Sequence, residues 1–156
     1  MAEPTRTDQP DAPPQAAVPG KRGATRVYER EELKVLWDAT LCTHAAACIR
    51  AQPKVFDSSR RPWIDVHAAG ADAVADAIRQ CPTGALRYEA KGDFPPEPRA
   101  VPTVVDVPPS GPLRLRGDLT ITQPRGHVIF DGPRASLCRC GKSRNAPFCD
   151  NSHTLP

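Results

Sequence analysis

The alternation of apolar and polar residues predicts a small α+β unit in the first half of the chain. Apolar residues at positions 71, 74, 75 and 78 follow the i, i+3, i+4, i+7 spacing of an amphipathic helix. Pro82 disfavours helical geometry at the residue before it, so we expect this helix to end at Cys81. Runs rich in β-branched and aromatic residues are typical of strands, and they occupy residues 26–29, 33–37, 63–66 and 85–88.

The second half of the chain shows strand-like patterns without a helical one. Short apolar runs occupy residues 113–116, 119–122, 127–130 and 134–137. Glycines separate these runs, at Gly117-Asp118, at Gly126 and at Gly132-Pro133, and such residues are typical of turns. The pattern therefore predicts a small β-rich module with four short strands.

Proline density divides the chain into modules. Of 19 prolines in 156 residues, five lie in residues 1–25 and seven in residues 91–112. Residues 1–25 are predicted to be a disordered tail, and residues 91–110 an extended linker. A first module at 26–90 and a second module at 111–156 remain. Because aromatic residues make up only 5% of the chain, we do not expect one large core.

Charge and hydropathy limit the classes of partner. A formal net charge of +3 is too small to indicate nucleic-acid binding. The N-terminal residues lack the apolar run of a signal peptide, and no run reaches the roughly 18 apolar residues of a membrane span. We therefore expect a cytoplasmic protein in which the six cysteines are ligands rather than disulfides. The second module carries seven basic and three acidic residues, which suits either an acidic partner or solvated strand edges.

The last residues of the chain hold a compact set of metal ligands. Cys138, Cys140, Cys149 and His153 supply three thiolates and one imidazole within sixteen residues. The Cys-x-Cys pair can bind one iron of a binuclear cluster, and Cys149 and His153, four residues apart, can bind the other. Asp150 stands where it would cap the turn between them. Spacing alone leaves an iron–sulfur cluster and a zinc ion as alternatives.

A second set of cysteines lies in the first module. Bacterial ferredoxins use Cys-x2-Cys-x2-Cys and a distant Cys-Pro. Here Cys42 and Cys48 occupy the outer positions, Ala45 the middle one, and Cys81 precedes a proline. Three thiolates fit a [3Fe–4S] cluster, whereas a [4Fe–4S] cluster needs a fourth ligand, for which His44 is the nearest candidate and a hydroxide or outside ligand an alternative. Burial as three inert thiols is the other interpretation.

Residues 138–153, which read Cys-x-Cys-x2-Ser-x3-Pro-x-Cys-Asp-x-Ser-His, resemble the motif of the CDGSH iron–sulfur (NEET) family. The resemblance implies a [2Fe–2S] cluster on the three cysteines and His153. Asn151 stands where the family usually has glycine, and asparagine tolerates left-handed backbone better than most residues. Small eukaryotic members have a strand after the motif that helps form a dimer. Here a similar segment, residues 111–115, precedes the motif, so a permuted strand order is expected and the oligomeric state stays open.

The first module resembles the divergent mono-cluster ferredoxin domain that bacteria often couple to a CDGSH module. The resemblance implies a small ferredoxin-like domain and a second cluster on its three cysteines. The shared features are Trp37-Asp38, Cys42-x-His44-x3-Cys48, Val55-Phe56, Pro62-Trp63-Ile64 and Cys81-Pro82-x-Gly84-Ala85-Leu86.

Together these features predict an iron–sulfur protein that transfers single electrons to a redox partner protein. No nucleophile–base pair or phosphate-binding loop accompanies the ligands, so we do not expect an enzyme. The alternative is a redox sensor or cluster-transfer protein, because a histidine ligand is open to protonation near neutral pH. A third interpretation is a zinc-stabilised interaction module.

Overall fold

A computed structural model describes residues 25–154, and in them two three-stranded antiparallel sheets accompany two α-helices. Of the predicted disordered tail, residues 1–24 lie outside this range. The elements in chain order are β1 (Arg26–Glu29), β2 (Leu33–Trp37), α1 (Ala47–Ala51), α2 (Ala71–Arg79), β3 (Leu86–Ala90), β4 (Val104–Asp106), β5 (Leu113–Thr122) and β6 (Val128–Leu137). Short 3₁₀ turns lie at Ala39–Leu41, Pro124–Gly126 and Ser152–Thr154.

The first sheet has the order β1-β2-β3, and its central strand is amphipathic as predicted. Leu33 and Val35 of β2 are fully buried, and Val35 pairs with Tyr28 on one side and Tyr88 on the other. The predicted strands at 26–29 and 33–37 and the helix beginning at Ala71 are confirmed, but the helix ends at Arg79 rather than at Cys81. The strand predicted at 63–66 is wrong, because that segment forms only one isolated bridge, between Phe56 and Ile64.

The second sheet has the order β4-β5-β6, and its long strands correct the prediction of four short ones. Pairing of β5 with β6 continues past Gly117-Asp118 through a register shift between Arg116 and Leu119. A bulge therefore stands where a turn was predicted. A Cβ on Gly117 would lie 2.8 Å from Cα of Thr103, so the glycine allows the preceding segment to approach β5 closely.

The proline-rich segment between the modules has structure of its own. Strand β4 lies within the predicted linker and pairs with β5, with Val105 opposite Leu115. Upstream, the ring of Phe94 packs edge-on against Tyr88, with centroids 6.0 Å apart. The expectation of an extended linker at residues 91–110 is therefore wrong where β4 forms. The domain boundaries stay predictions.

The buried apolar side chains of both modules form one contiguous cluster, so the expectation against a single core is wrong. Phe130 and Phe148 of the second module pack within it, their ring centroids 5.8 Å apart. The architecture is a small α+β fold, while the finer ferredoxin-like class stays a prediction. In residues 25–154 no helix is long and apolar enough to cross a bilayer.

Candidate metal centres

The structure brings the four predicted ligands of the second module together as two pairs, and we call this set the second site. Sγ of Cys138 lies 3.1 Å from Sγ of Cys140, and Sγ of Cys149 lies 3.6 Å from Nδ1 of His153. Within the described range, no three Cys, His, Asp or Glu side chains gather closely enough for a single ion. All six cysteines are free thiols. Two pairs fit a binuclear centre in which each iron takes two protein ligands.

Backbone N–H groups point at the sulfurs of the second site. The N–H of Cys140 donates to Sγ of Cys138 at 3.4 Å, and that of Lys142 to Sγ of Cys140 at 3.3 Å. The N–H of Asn151 donates to Sγ of Cys149 at 3.4 Å. The side-chain hydrogen bond with Cys138 is the larger cause of a lowered pKa at Cys140, and the hydrogen bond from the Lys142 N–H is the next. Burial raises the pKa of Cys149. The loop thus favours thiolate at Cys140.

Asp150 holds the ligand loop in shape. Its carboxylate accepts hydrogen bonds from the backbone of Arg144 at 2.9 Å and of Ser152 at 3.0 Å, and from the Ser152 hydroxyl at 2.6 Å. The Ser152 hydroxyl, followed by these N–H groups, holds the pKa of Asp150 well below its usual range. Asn151 adopts a left-handed φ of 69°, so asparagine supports here the turn that the family builds with glycine.

The chain before β5 forms a wall beside the second site. Residues 109–112 line a cavity of about 240 Å³ together with Cys138, Cys140 and His153. Arg139 fixes this wall, because its guanidinium donates to the carbonyl of Gly111 at 2.7 Å and to that of Pro108. The segment predicted to replace the family's terminal strand therefore lies against the ligands.

Three elements bring Cys42, Cys48 and Cys81, which we call the first site, around one small cavity. Cys42 follows the 3₁₀ turn, which Asp38 caps by accepting from the Thr40 N–H at 2.9 Å. Cys48 lies in α1, and Cys81 follows the end of α2. The three predicted thiols thus converge on one space.

Burial controls the chemistry of the first site. It raises the pKa of the Cys48 thiol to about 11, with a further contribution from nearby Cys81, and it also raises the pKa of Cys42. These thiols are therefore protonated near neutral pH until a metal displaces the protons. The Thr83 hydroxyl lies 3.6 Å from Sγ of Cys81, within reach of a hydrogen bond.

His44 lies on the surface and does not line the cavity. Both His44 and Ala46 have a φ of 56°, in the left-handed region. Such backbone costs about 1–3 kcal/mol per non-glycine residue and clusters at ligand sites. His44 stays a predicted ligand, and the loop that carries it is strained.

The sequence analysis did not assign Trp37 and Trp63 to the site. Both line the first cavity, and their rings make an edge-to-face contact with centroids 4.9 Å apart. Their Nε1 atoms are buried with no hydrogen-bond acceptor in the described residues. The available signal was their position, because the only two tryptophans of the chain stand on either side of the segment that carries Cys42 and Cys48.

Strand β6 joins the two sites. The Ser136 hydroxyl donates to the carbonyl of Pro82 at 3.0 Å, and the Ser136 carbonyl accepts from the Cys149 N–H at 3.0 Å. Arg134 donates to the carbonyl of Cys81 at 2.8 Å. Backbone next to a ligand of each site is thus bound to the same strand.

Comparisons with known proteins agree with this pair of sites. A family model described as "Divergent 4Fe-4S mono-cluster" matches residues 28–91, and one described as "Iron-binding zinc finger CDGSH type" matches residues 110–154. A protein called "Uncharacterized protein YjdI" from Escherichia coli strain K12 is 35% identical over 69 residues, or 44% of this chain and 91% of the relative. The protein of that name from strain O157:H7 gives the same values.

No solved structure matches the chain significantly. The two family descriptions indicate iron–sulfur and iron binding. The chain therefore belongs to the divergent 4Fe–4S mono-cluster family through residues 28–91, and it joins that module to a CDGSH-type iron-binding module at residues 110–154.

Proposed function

We propose that this protein is a cytoplasmic, non-enzymatic carrier of single electrons with two iron–sulfur centres. In this proposal the second site holds a [2Fe–2S] cluster. The first site holds a [3Fe–4S] cluster, or a [4Fe–4S] cluster with His44 or an outside group as the fourth ligand. A bound iron–sulfur cluster supplies reversible one-electron oxidation and reduction.

The donor sets support these assignments. The second site offers two ligand pairs with backbone N–H groups directed at three sulfurs, which suits a cluster with two irons. The first site offers three thiols around one cavity beside two buried indole N–H groups. Soft thiolate ligands bind both zinc and iron–sulfur clusters. The family descriptions, which name a 4Fe–4S cluster and iron binding, favour iron at both sites.

The observation that carries electron transfer is the bonded contact between the two sites. Only Ser136 separates the Pro82 carbonyl, next to Cys81, from the N–H of Cys149, through hydrogen bonds of 3.0 Å at each end. Two redox centres on one packed core suit the passage of an electron from one to the other. The chain's own residues hold, bury and connect these centres, and a redox partner protein supplies or accepts the electron.

Anaerobic purification followed by iron, sulfide and zinc analysis tests the cofactors. EPR and Mössbauer spectra then give the nuclearity of each centre, and Cys42→Ser and Cys138→Ser assign each signal to its site. His153→Ala is expected to lose the second cluster. The control is His127→Ala, which removes an exposed histidine just before β6, at the end of the strand away from Cys138, and retains the cluster. If His44→Ala converts a [4Fe–4S] cluster to a [3Fe–4S] cluster, His44 is the fourth ligand.

Redox cycling tests the function. We expect both centres to be reduced and reoxidised without loss of iron, and to pass electrons to an acceptor. If the purified protein contains zinc and no iron, the proposal is wrong and the protein is a zinc-stabilised interaction module. Transfer of intact cluster to an apo-protein, without reversible cycling, would establish cluster donation or sensing instead.

A further inference from the structure

Two buried hydrogen-bond donors in the first module have no acceptor within the described residues. They are the indole N–H groups of Trp37 and Trp63. Tryptophan donates and cannot accept at this atom, and buried polar groups in proteins are nearly always hydrogen-bonded. Each unbonded donor therefore needs an explanation.

Both tryptophans belong to the wall of the cavity that the first-site cysteines surround. The rings are held in place from outside it. The guanidinium of Arg26 lies 5.4 Å from the ring centroid of Trp37, and the ring of Phe56 lies 5.9 Å from that of Trp63. The edge-to-face contact between the two indoles fixes them further.

The remaining wall determines which occupant fits. Apart from the cysteines and two threonines, it consists of the two indoles with alanine, proline and leucine side chains. An apolar occupant would leave both N–H groups unbonded, and a bare metal ion accepts no hydrogen bond. An iron–sulfur cluster presents sulfide and thiolate sulfurs, whose hydrogen bonds help set its reduction potential.

We propose that Trp37 and Trp63 donate their indole N–H groups to sulfur atoms of the cluster held by Cys42, Cys48 and Cys81. This inference rests on the proposed iron–sulfur function and adds two hydrogen-bond donors to that site. Hydrogen bonds to sulfur stabilise the more negative, reduced cluster, so the two indoles raise its reduction potential.

The experiment uses the anaerobic holoprotein labelled with ¹⁵N-indole tryptophan. Because the chain has only two tryptophans, the label reports on this cavity alone. Hyperfine sublevel correlation spectra of the paramagnetic first cluster, whose signal is assigned by its loss in Cys42→Ser, are expected to show coupling to both indole nitrogens. Trp37→Phe and Trp63→Phe each remove one coupling and shift the reduction potential to more negative values.

The control is Tyr88→Phe, which removes a polar atom from a buried aromatic residue outside the cavity wall. It is expected to leave both couplings and the potential unchanged. If a tryptophan variant fails to hold the cluster, the spectra of the labelled wild-type protein still test the inference. A first cluster without indole coupling overturns this inference and leaves the proposed function intact, whereas a first site without iron overturns both.

Discussion

Replacement of Arg134 by methionine is expected to destabilise the whole molecule, although Arg134 is no predicted ligand. Its side chain is 8% exposed and lies 2.6 Å from a carboxylate oxygen of Glu97, which is 6% exposed. The same guanidinium donates to the carbonyls of Cys81 at 2.8 Å, Leu86 at 3.0 Å and Ile78 at 3.4 Å. One side chain thus forms an ion pair with a buried carboxylate and donates hydrogen bonds to three backbone carbonyls.

The expected loss in free energy of unfolding follows from the groups that lose Arg134 as a partner in Arg134→Met, which are the Glu97 carboxylate and the three carbonyls. Removing one partner of a buried ion pair costs about 3–5 kcal/mol, because the remaining charge is unpaired. For a domain of this size the loss corresponds to a fall in melting temperature of roughly 10–20 °C. The double variant Arg134→Met/Glu97→Gln removes the lone charge as well. It is expected to recover about 2 kcal/mol and to retain the cost of the hydrogen bonds lost at the carbonyls.

The assay is thermal unfolding of the anaerobic holoprotein, followed by far-ultraviolet circular dichroism at one scan rate. Arg79→Met is the matched control, since Arg79 pairs with Asp76 on the exposed face of α2 and contributes about 0.5 kcal/mol or less. Iron at the first site is measured in the same samples. If Arg134→Met melts within a few degrees of the wild type, or the double variant is the less stable of the two, the buried pair does not hold the modules together.

Three further predictions concern single positions. Gly84→Ala is expected to cost about 2–4 kcal/mol, because φ is 72° and the new Cβ would overlap a carbonyl of β6; Gly92→Ala, at a φ of 58° in open space, costs only about 1 kcal/mol. Asn151→Val is expected to lose iron from the second site, whereas Asn151→Gly retains it, since φ is 69°. A hydrogen bond from Arg99 lowers the folded-state pKa of Asp131, so the contribution of this carboxylate to stability, below about 1 kcal/mol, is present above about pH 4 and lost as pH falls further.

Melting curves and iron analysis check these predictions. Equal losses in Gly84→Ala and Gly92→Ala would mean that backbone conformation, rather than the contact with β6, governs Gly84. Retention of iron in Asn151→Val would contradict the need for a left-handed residue. The melting-temperature difference between wild type and Asp131→Asn should close between pH 7 and pH 3; a constant difference would show that the carboxylate charge is irrelevant.

Local chemistry made much of the molecule predictable. The strands at 26–29 and 33–37, the helix from Ala71 and the convergence of cysteines in each module all follow from residue type and spacing. The two long strands were missed because glycine usually signals a turn, whereas the register between β5 and β6 turns Gly117 into a bulge. That register depends on a partner strand, which a local pattern does not contain.

The buried arginine was also beyond local inference. In the sequence Arg134 begins a run that suits a solvated strand edge, and nothing nearby indicates that its backbone partners lie 48 to 56 positions earlier. The same holds for the indole groups of Trp37 and Trp63, whose lack of acceptors is visible only once the cavity is assembled. Long-range polar contacts are thus the part of this fold that spacing does not reveal.

The contacts of Arg134 link the second module to the backbone beside the first site. Helix α2 ends at Arg79, and the carbonyl of Ile78 accepts a backbone hydrogen bond from the Cys81 N–H at 3.0 Å. Arg134 adds a second donor to that carbonyl at 3.4 Å and donates to the carbonyl of Cys81 at 2.8 Å, and its positive charge lies at the helix end where cations are favoured. A strand of the second module thereby ties down the end of the helix that precedes Cys81, so we expect cluster binding at Cys81 to depend on both modules being folded.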